Sequence, residues 1–170
     1  MNFELEPFVG YPGEIGYDDG EPDDAIVFIE PGNGWAVRMS LDEGEEQAMV
    51  TGALFRFWDE EFPNPGGTEF QVEVYDASGT DGAPGEKLAG PIDATANRDG
   101  TWTQVDLFDE GIIVDDDFYV LFLQSKAGDF SPAIGIDMTS PDAERSWEYF
   151  GGSWSSTPVF FRKLHDSRPC

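Results

Sequence analysis

The chain has 170 residues, of which 9 are Lys or Arg and 35 are Asp or Glu, giving a formal charge of −26. So much negative charge on a length suited to one domain repels polyanions and anionic lipid surfaces, which argues against a nucleic-acid partner and against membrane insertion. Hydrophobic residues at 39% and aromatics at 14% supply the apolar surface for a packed core and exclude an acidic disordered segment.

Short β-type runs recur along the chain, separated by clusters of Gly, Pro, Asn and Asp, and no window of about 11 residues sustains a helical period. In chain order the predicted strands are 25–30, 35–41, 48–58, 69–76, 87–93, 102–108, 117–125, 133–138, 146–150 and 158–162. Ten strands suit two sheets, so the pattern predicts an all-β antiparallel sandwich or barrel. Turn chemistry punctuates them at Pro31-Gly32-Asn33-Gly34, Asn64-Pro65-Gly66-Gly67, Asp81-Gly82-Ala83-Pro84-Gly85, Asp99-Gly100 and Gly151-Gly152.

Alternation assigns faces. In 35–41, Trp35, Val37, Met39 and Leu41 share one side, so Trp35 is expected in the core. In 69–76, Phe70, Val72 and Val74 point inward. The run 117–125 is apolar on both sides, as expected of a central strand covered on both faces. In 102–108, Thr103, Val105 and Leu107 face in, which leaves Trp102 outside beside Gln104 and Asp106.

Cys170 and His165 are the single Cys and His. An intrachain disulfide is impossible, and zinc centres and Ser-His or Cys-His nucleophile pairs are strongly disfavoured. Ser153 with His165 and an Asp is only a formal triad. Gly32-Asn33-Gly34 precedes a strand and lacks a third glycine, so it is no phosphate loop. Paired carboxylates carry no weight, because 35 acids contain every spacing. No apolar run approaches the ~18 residues of a membrane span, and Met1-Asn2-Phe3-Glu4 lacks the charge and hydropathy order of a secretion signal. The expectation is either a cytosolic protein or a module of a longer exported chain.

Two ligand classes remain. Any metal would be a hard cation, and Asp18, Asp19, Asp23 and Asp24, clustered around Gly20 and Pro22, are the candidate ligands for Ca2+, with Asp115-Asp116-Asp117 the weaker set. The competing reading of both is a solvated acidic loop. A sugar would need exposed rings with polar neighbours. Trp102 with Gln104, Trp58 on the same face as Arg56, and the alternating pair Trp147 and Tyr149 are the candidates, each set against burial in a sandwich core. Arg38 and Arg56 are expected to make structural ion pairs.

Gly16-Tyr17-Asp18-Asp19-Gly20, Gly32-Asn33-Gly34-Trp35-Ala36-Val37-Arg38, Asp81-Gly82-Ala83-Pro84-Gly85 with Leu88-Ala89-Gly90-Pro91, Arg98-Asp99-Gly100-Thr101-Trp102, Asp117-Phe118-Tyr119-Val120, and Arg145-Ser146-Trp147 with Gly151-Gly152-Ser153-Trp154 form six ordered blocks. Together they resemble the modules C-terminal to the catalytic domain in secreted bacterial subtilisin-type proteases of the bacillopeptidase F kind. The resemblance runs from about Glu14 to Pro158 and stops where Val159-Phe160-Phe161-Arg162-Lys163 begins. It implies a jelly-roll-like sandwich over 14–158, an N-terminal extension over 1–13, and a last strand or atypical basic tail over 159–170. It also implies a non-catalytic, secreted accessory domain, whose partners are the parent hydrolase domain and a polysaccharide or protein substrate. A carbohydrate-binding module and a calcium-stabilised spacer are the alternatives.

Overall fold

The computed structural model describes residues 21–136 and 145–156. Twelve short strands make up the described chain: β1 (Asp24–Ile26), β2 (Gly34–Met39), β3 (Ala48–Val50), β4 (Gly52–Arg56), β5 (Glu69–Asp76), β6 (Lys87–Thr95), β7 (Trp102–Asp106), β8 (Ile112–Val114), β9 (Phe118–Leu123), β10 (Ile134–Ile136), β11 (Ser146–Phe150) and β12 (Ser153–Ser156). One layer is a six-stranded antiparallel sheet in the order β12-β11-β2-β9-β5-β6. The other is built from the antiparallel ladders β1-β10, β3-β8 and β4-β7. The Phe57–Ile134 bridge sets β10 beside the segment after β4, and the Leu107 N–H to Thr51 carbonyl bond of 3.0 Å joins the β4-β7 and β3-β8 ladders end to end. Successive segments cross from layer to layer, which is the connectivity of a jelly-roll-like sandwich.

The predicted run 48–58 divides into β3 and β4 around Thr51, where β8 gives way to β7 as partner. Two strands were not expected. β8 is a three-residue Ile-Ile-Val run, and β12 is Ser-Trp-Ser-Ser, with one apolar side chain to reveal a period. The predicted strand 158–162 lies outside the described residues.

Apolar alternation produces the core between the layers. Phe70, Val72 and Val74 from β5 and Phe118, Val120 and Phe122 from β9 meet Ala53, Phe55, Phe57, Val105 and Leu107 from the opposing layer. Phe57, Phe70 and Phe122 form a ring triad with centroids 4.8 to 5.7 Å apart. Trp35 is buried against Phe28, as its alternation requires. β9 is central and covered on both faces.

A single buried amide fixes the end of this core. Gln124 donates through Nε2 to the carbonyls of Phe28 and Lys126, at 2.7 Å each, and accepts at 2.8 Å from the Phe28 N–H. The segment after β1 therefore docks on the end of β9 through a side chain that imitates a strand partner. Arg98 does similar work elsewhere. Its Nη2 donates to the carbonyls of Asp59, Phe62 and Pro63 at 3.1 to 3.2 Å, gathering the loop before β5.

Candidate functional site on the outer sheet faces

Alternate side chains along a strand point away from the core, so each layer has an outer face. On the six-stranded sheet, cross-strand register aligns Trp154, Tyr149, Gly34 and Leu123 in one row and Trp147, Ala36, Leu121 and Glu73 in the next. Small side chains at Gly34 and Ala36 let the β11–β12 hairpin curl over them. A Cβ at Gly34 would collide with the Phe122 carbonyl, so no other residue fits there. The two-residue turn Gly151-Gly152 has φ of 58° and 83°, the left-handed pair that tight hairpins require.

The curl brings rings together across four strands. Trp154 packs on Tyr149 at 4.8 Å and on Tyr75 at 5.3 Å, while Trp147 meets Tyr119 at 6.2 Å. They cover Ala36, Tyr119 and Leu121, which are fully buried, so this face is a second small core. The Tyr75 hydroxyl donates to Glu73 Oε2 at 2.6 Å, and Lys87 Nζ lies 3.3 Å from Glu73 Oε1. Burial, and after it the Glu73 carboxylate, pushes the Tyr75 phenol well above its ordinary value. Tyr119 is also pushed up, chiefly by burial, and its hydroxyl donates to the Gly82 carbonyl.

Trp147 and Tyr149 thus share a face as their alternation predicts, but each is half-buried and engaged with another ring. Tyr75 and Trp154 complete the cluster and were missed by sequence reasoning. Tyr75 could have been flagged as an aromatic on the outward register of 69–76; Trp154 had only its place after a Gly-Gly turn.

The outer face of the second layer, built from the three two-stranded ladders, differs. Trp102, Gln104 and Asp106 of β7 are exposed, as predicted, and register sets Trp102 opposite Arg56 and Gln104 opposite Leu54. Trp58, two residues beyond Arg56, is half-buried, and its N–H donates to the Ala133 carbonyl at 2.9 Å. Among the described residues no ring contact joins Trp58 to Trp102. Arg56 pairs with Glu21 at 3.7 Å and Arg38 with Asp117 at 3.5 Å, the structural ion pairs expected of both.

Of the candidate calcium ligands, Asp18 and Asp19 lie outside the described residues. The Asp23 N–H donates to the Ile136 carbonyl at 2.9 Å, and Asp24 Oδ1 accepts from the Ala25 N–H at 2.9 Å. Asp116 accepts from the Asp117 N–H at 2.8 Å. Among the described residues no three His, Cys, Asp or Glu side chains gather to hold a metal ion. Many Asp side chains instead build turns. Asp59, Asp76, Asp99 and Asp106 each accept from the N–H two residues on, at 2.9 to 3.1 Å. Burial alone would raise the Asp76 carboxyl, but bonds from the Ser78 hydroxyl at 2.5 Å, the Glu86 N–H at 2.8 Å and the Ser78 N–H hold it below its ordinary value.

A cleft of about 510 Å³ opens at one end of the six-stranded sheet, walled by Glu69, Gln71, Asp93, Ser125 and Lys126. Its polar groups satisfy one another: Gln71 Nε2 donates to Asp93 at 2.8 Å, and Lys126 pairs with Glu69 at 3.2 Å. His165 lies outside the described residues. No helix among the described residues is long and apolar enough to cross a membrane.

Two layers of extended chain, with rings on both outer faces and acids spent on turns, define a small jelly-roll-like β-sandwich module. Over 150 residues the chain is 57% identical to a region of bacillopeptidase F of Bacillus subtilis (strain 168), a match that takes in 88% of this chain and 10% of that protein. The chain is the counterpart of a small module of bacillopeptidase F, about one tenth of the relative's length. No protein-family model and no solved structure matches it.

Proposed function

We propose that the chain is a non-catalytic accessory domain of an exported serine protease, serving to attach the parent to substrate or surface or to stabilise it. The observation that carries this reading is the 57% identity that covers most of this chain while falling on a tenth of a much longer peptidase. A module of that proportion adds binding or stability to chemistry done elsewhere in the chain. The residues agree with that role: acids serve as turn formers and ion-pair partners, and burial pushes the Tyr75 and Tyr119 phenols above their ordinary value.

The test takes the 170-residue chain through casein and ester hydrolysis assays and retention on insoluble casein, elastin, cellulose and chitin. Turnover at background with retention on a protein support is the expected result. Hydrolysis that a point mutation abolishes would overturn the reading.

A further inference from the structure

Asn33 is the one asparagine of the chain that precedes a glycine, and both residues are demanded by their surroundings. The buried Asn33 amide latches the β11–β12 hairpin: Oδ1 accepts from the Gly151 N–H of its turn at 2.9 Å, and Nδ2 donates to the Glu30 carbonyl at 3.1 Å. Gly34 has no substitute, because a Cβ there would meet the Phe122 carbonyl. In a flexible chain such a pair is the one most prone to spontaneous deamidation, since a following residue without Cβ leaves its amide nitrogen free to reach the asparagine side chain. The fold holds that nitrogen back. The Asn33 carbonyl accepts from the Gln124 N–H at 2.8 Å, just beyond β9, and in a trans peptide the next N–H points the opposite way, so the Gly34 N–H faces β11 beside Tyr149.

The hairpin thus engages both reacting groups, the side-chain amide through Gly151 and the nitrogen beside Tyr149. We propose that Asn33 is a spontaneous modification site gated by the β11–β12 hairpin, and that its conversion holds the hairpin open. When the hairpin lifts, the Gly34 nitrogen gives up its proton and bonds to Asn33 Cγ, the Cγ–Nδ2 bond breaks, and ammonia leaves with that proton, closing a cyclic imide. Water then opens the imide to aspartate or isoaspartate. Aspartate loses the donor that met the Glu30 carbonyl and puts a charge into a site that is 6% exposed. Isoaspartate adds a backbone carbon ahead of Gly34, which displaces β2 against β9 and β11. Either product weakens the latch that closes the second small core. This stands apart from the accessory-domain reading, since it holds whatever the parent chain does.

The test incubates the folded 170-residue chain at mildly alkaline pH and follows the added negative charge by ion exchange, with peptide mapping to place it. Conversion at Asn33 is expected to be at least about a hundredfold slower than in the same chain unfolded in urea, because only the open fraction reacts. Gly152→Ala, which strains the turn at a φ of 83°, should speed it about tenfold. If that variant does not fold, Trp154→Ala, which removes the ring packed on Tyr149 and Tyr75, takes its place. The control is Ile112→Val in the opposite layer, or Ile112→Ala where the fall in melting midpoint is the smaller of the two, and it should leave the rate near the parent's. The purified converted chain should melt lower than the parent and show red-shifted Trp emission. Equal acceleration by the Ile112 variant would make the gate global unfolding and overturn the inference. So would conversion of the folded parent at the rate found in urea, no acceleration in the loosened hairpin, earlier conversion at Asn64 or Asn97, or a converted chain with the parent's melting and emission.

Discussion

At the scale of single residues, buried polar groups are the most sensitive points because leaving a partner unpaired costs more than a formed bond contributes. Gln124 is fully buried and satisfies both backbone groups of Phe28. Gln124→Leu keeps similar volume but strands that N–H and carbonyl away from water. It should lower unfolding free energy by about 3 kcal/mol, measured by urea denaturation, with the m-value unchanged. Loss below ~0.5 kcal/mol would mean that the Phe28 segment does not depend on this amide.

Glu148 makes the contrasting case. Register sets it beside Trp35 on the inward side of β11, and burial pushes its carboxyl above the ordinary value. A raised carboxyl disfavours the folded state when ionised, so the cost is present at neutral pH and is relieved as pH falls through the folded pKa. Glu148→Gln should therefore melt higher than the parent at pH 7, with the gap closing below about pH 4. Asp76 has the opposite sign. Its carboxyl is held low by donors from Ser78 and Glu86, so its contribution is present at neutral pH and lost on acidification through the folded pKa. Asp76→Asn should lower the melting midpoint at pH 7 and make less difference in acid.

At the scale of elements, the β11–β12 hairpin depends on two glycine sites with different demands. Gly151-Gly152 supplies the positive φ of the turn. Gly34 supplies close approach, because any Cβ there meets the carbonyl of Phe122 and the side chain of Leu121. Gly34→Ala should cost about 3 kcal/mol by forcing β2 away from β9. It should also expose the Trp154 and Tyr75 rings, read as a red shift of Trp fluorescence before global unfolding. Unchanged fluorescence with full loss of stability would show that the curl and the sheet unfold together.

Strands with a clear period were legible in sequence, and those built by neighbours were not. The outward position of Trp102 followed from Thr103, Val105 and Leu107 pointing in, and the buried position of Trp35 from Val37 and Met39. β8 escaped notice because three adjacent apolar residues have no alternation, although Ile113 points out between buried Ile112 and Val114. β12 is a strand because β11 hydrogen-bonds to it, not because Ser-Trp-Ser-Ser prefers one. The second core could not be read from any one strand: Tyr75, Tyr119, Tyr149 and Trp154 belong to four of them, and the curl over Gly34 and Ala36 brings them together.

At the scale of the whole molecule, the charge of −26 sets how stability responds to salt. Screening acts in both directions: it weakens attraction in ion pairs and repulsion among excess carboxylates. The attractive side is small. Arg38–Asp117 at 3.5 Å and Lys126–Glu69 at 3.2 Å are partly exposed, and such pairs contribute ~0 to 1 kcal/mol. Repulsion among the surplus acids extends over the surface, and at ~1 M salt the screening length shrinks to ~3 Å from ~10 Å at 0.1 M. Turn-forming Asp side chains such as Asp59 and Asp106 cannot move apart to relieve it, because their hydrogen bonds hold them beside the backbone. The repulsive side therefore wins, and the melting midpoint should rise by roughly 5 °C between low salt and ~1 M NaCl, a gain of one to two kcal/mol for a domain of this size. Differential scanning calorimetry in NaCl and in sodium sulfate at matched ionic strength separates screening from surface exclusion, since screening follows ionic strength and exclusion is stronger for sulfate. A midpoint that stays level in NaCl and rises only in sulfate would assign the effect to strengthened apolar burial and remove self-repulsion as its cause.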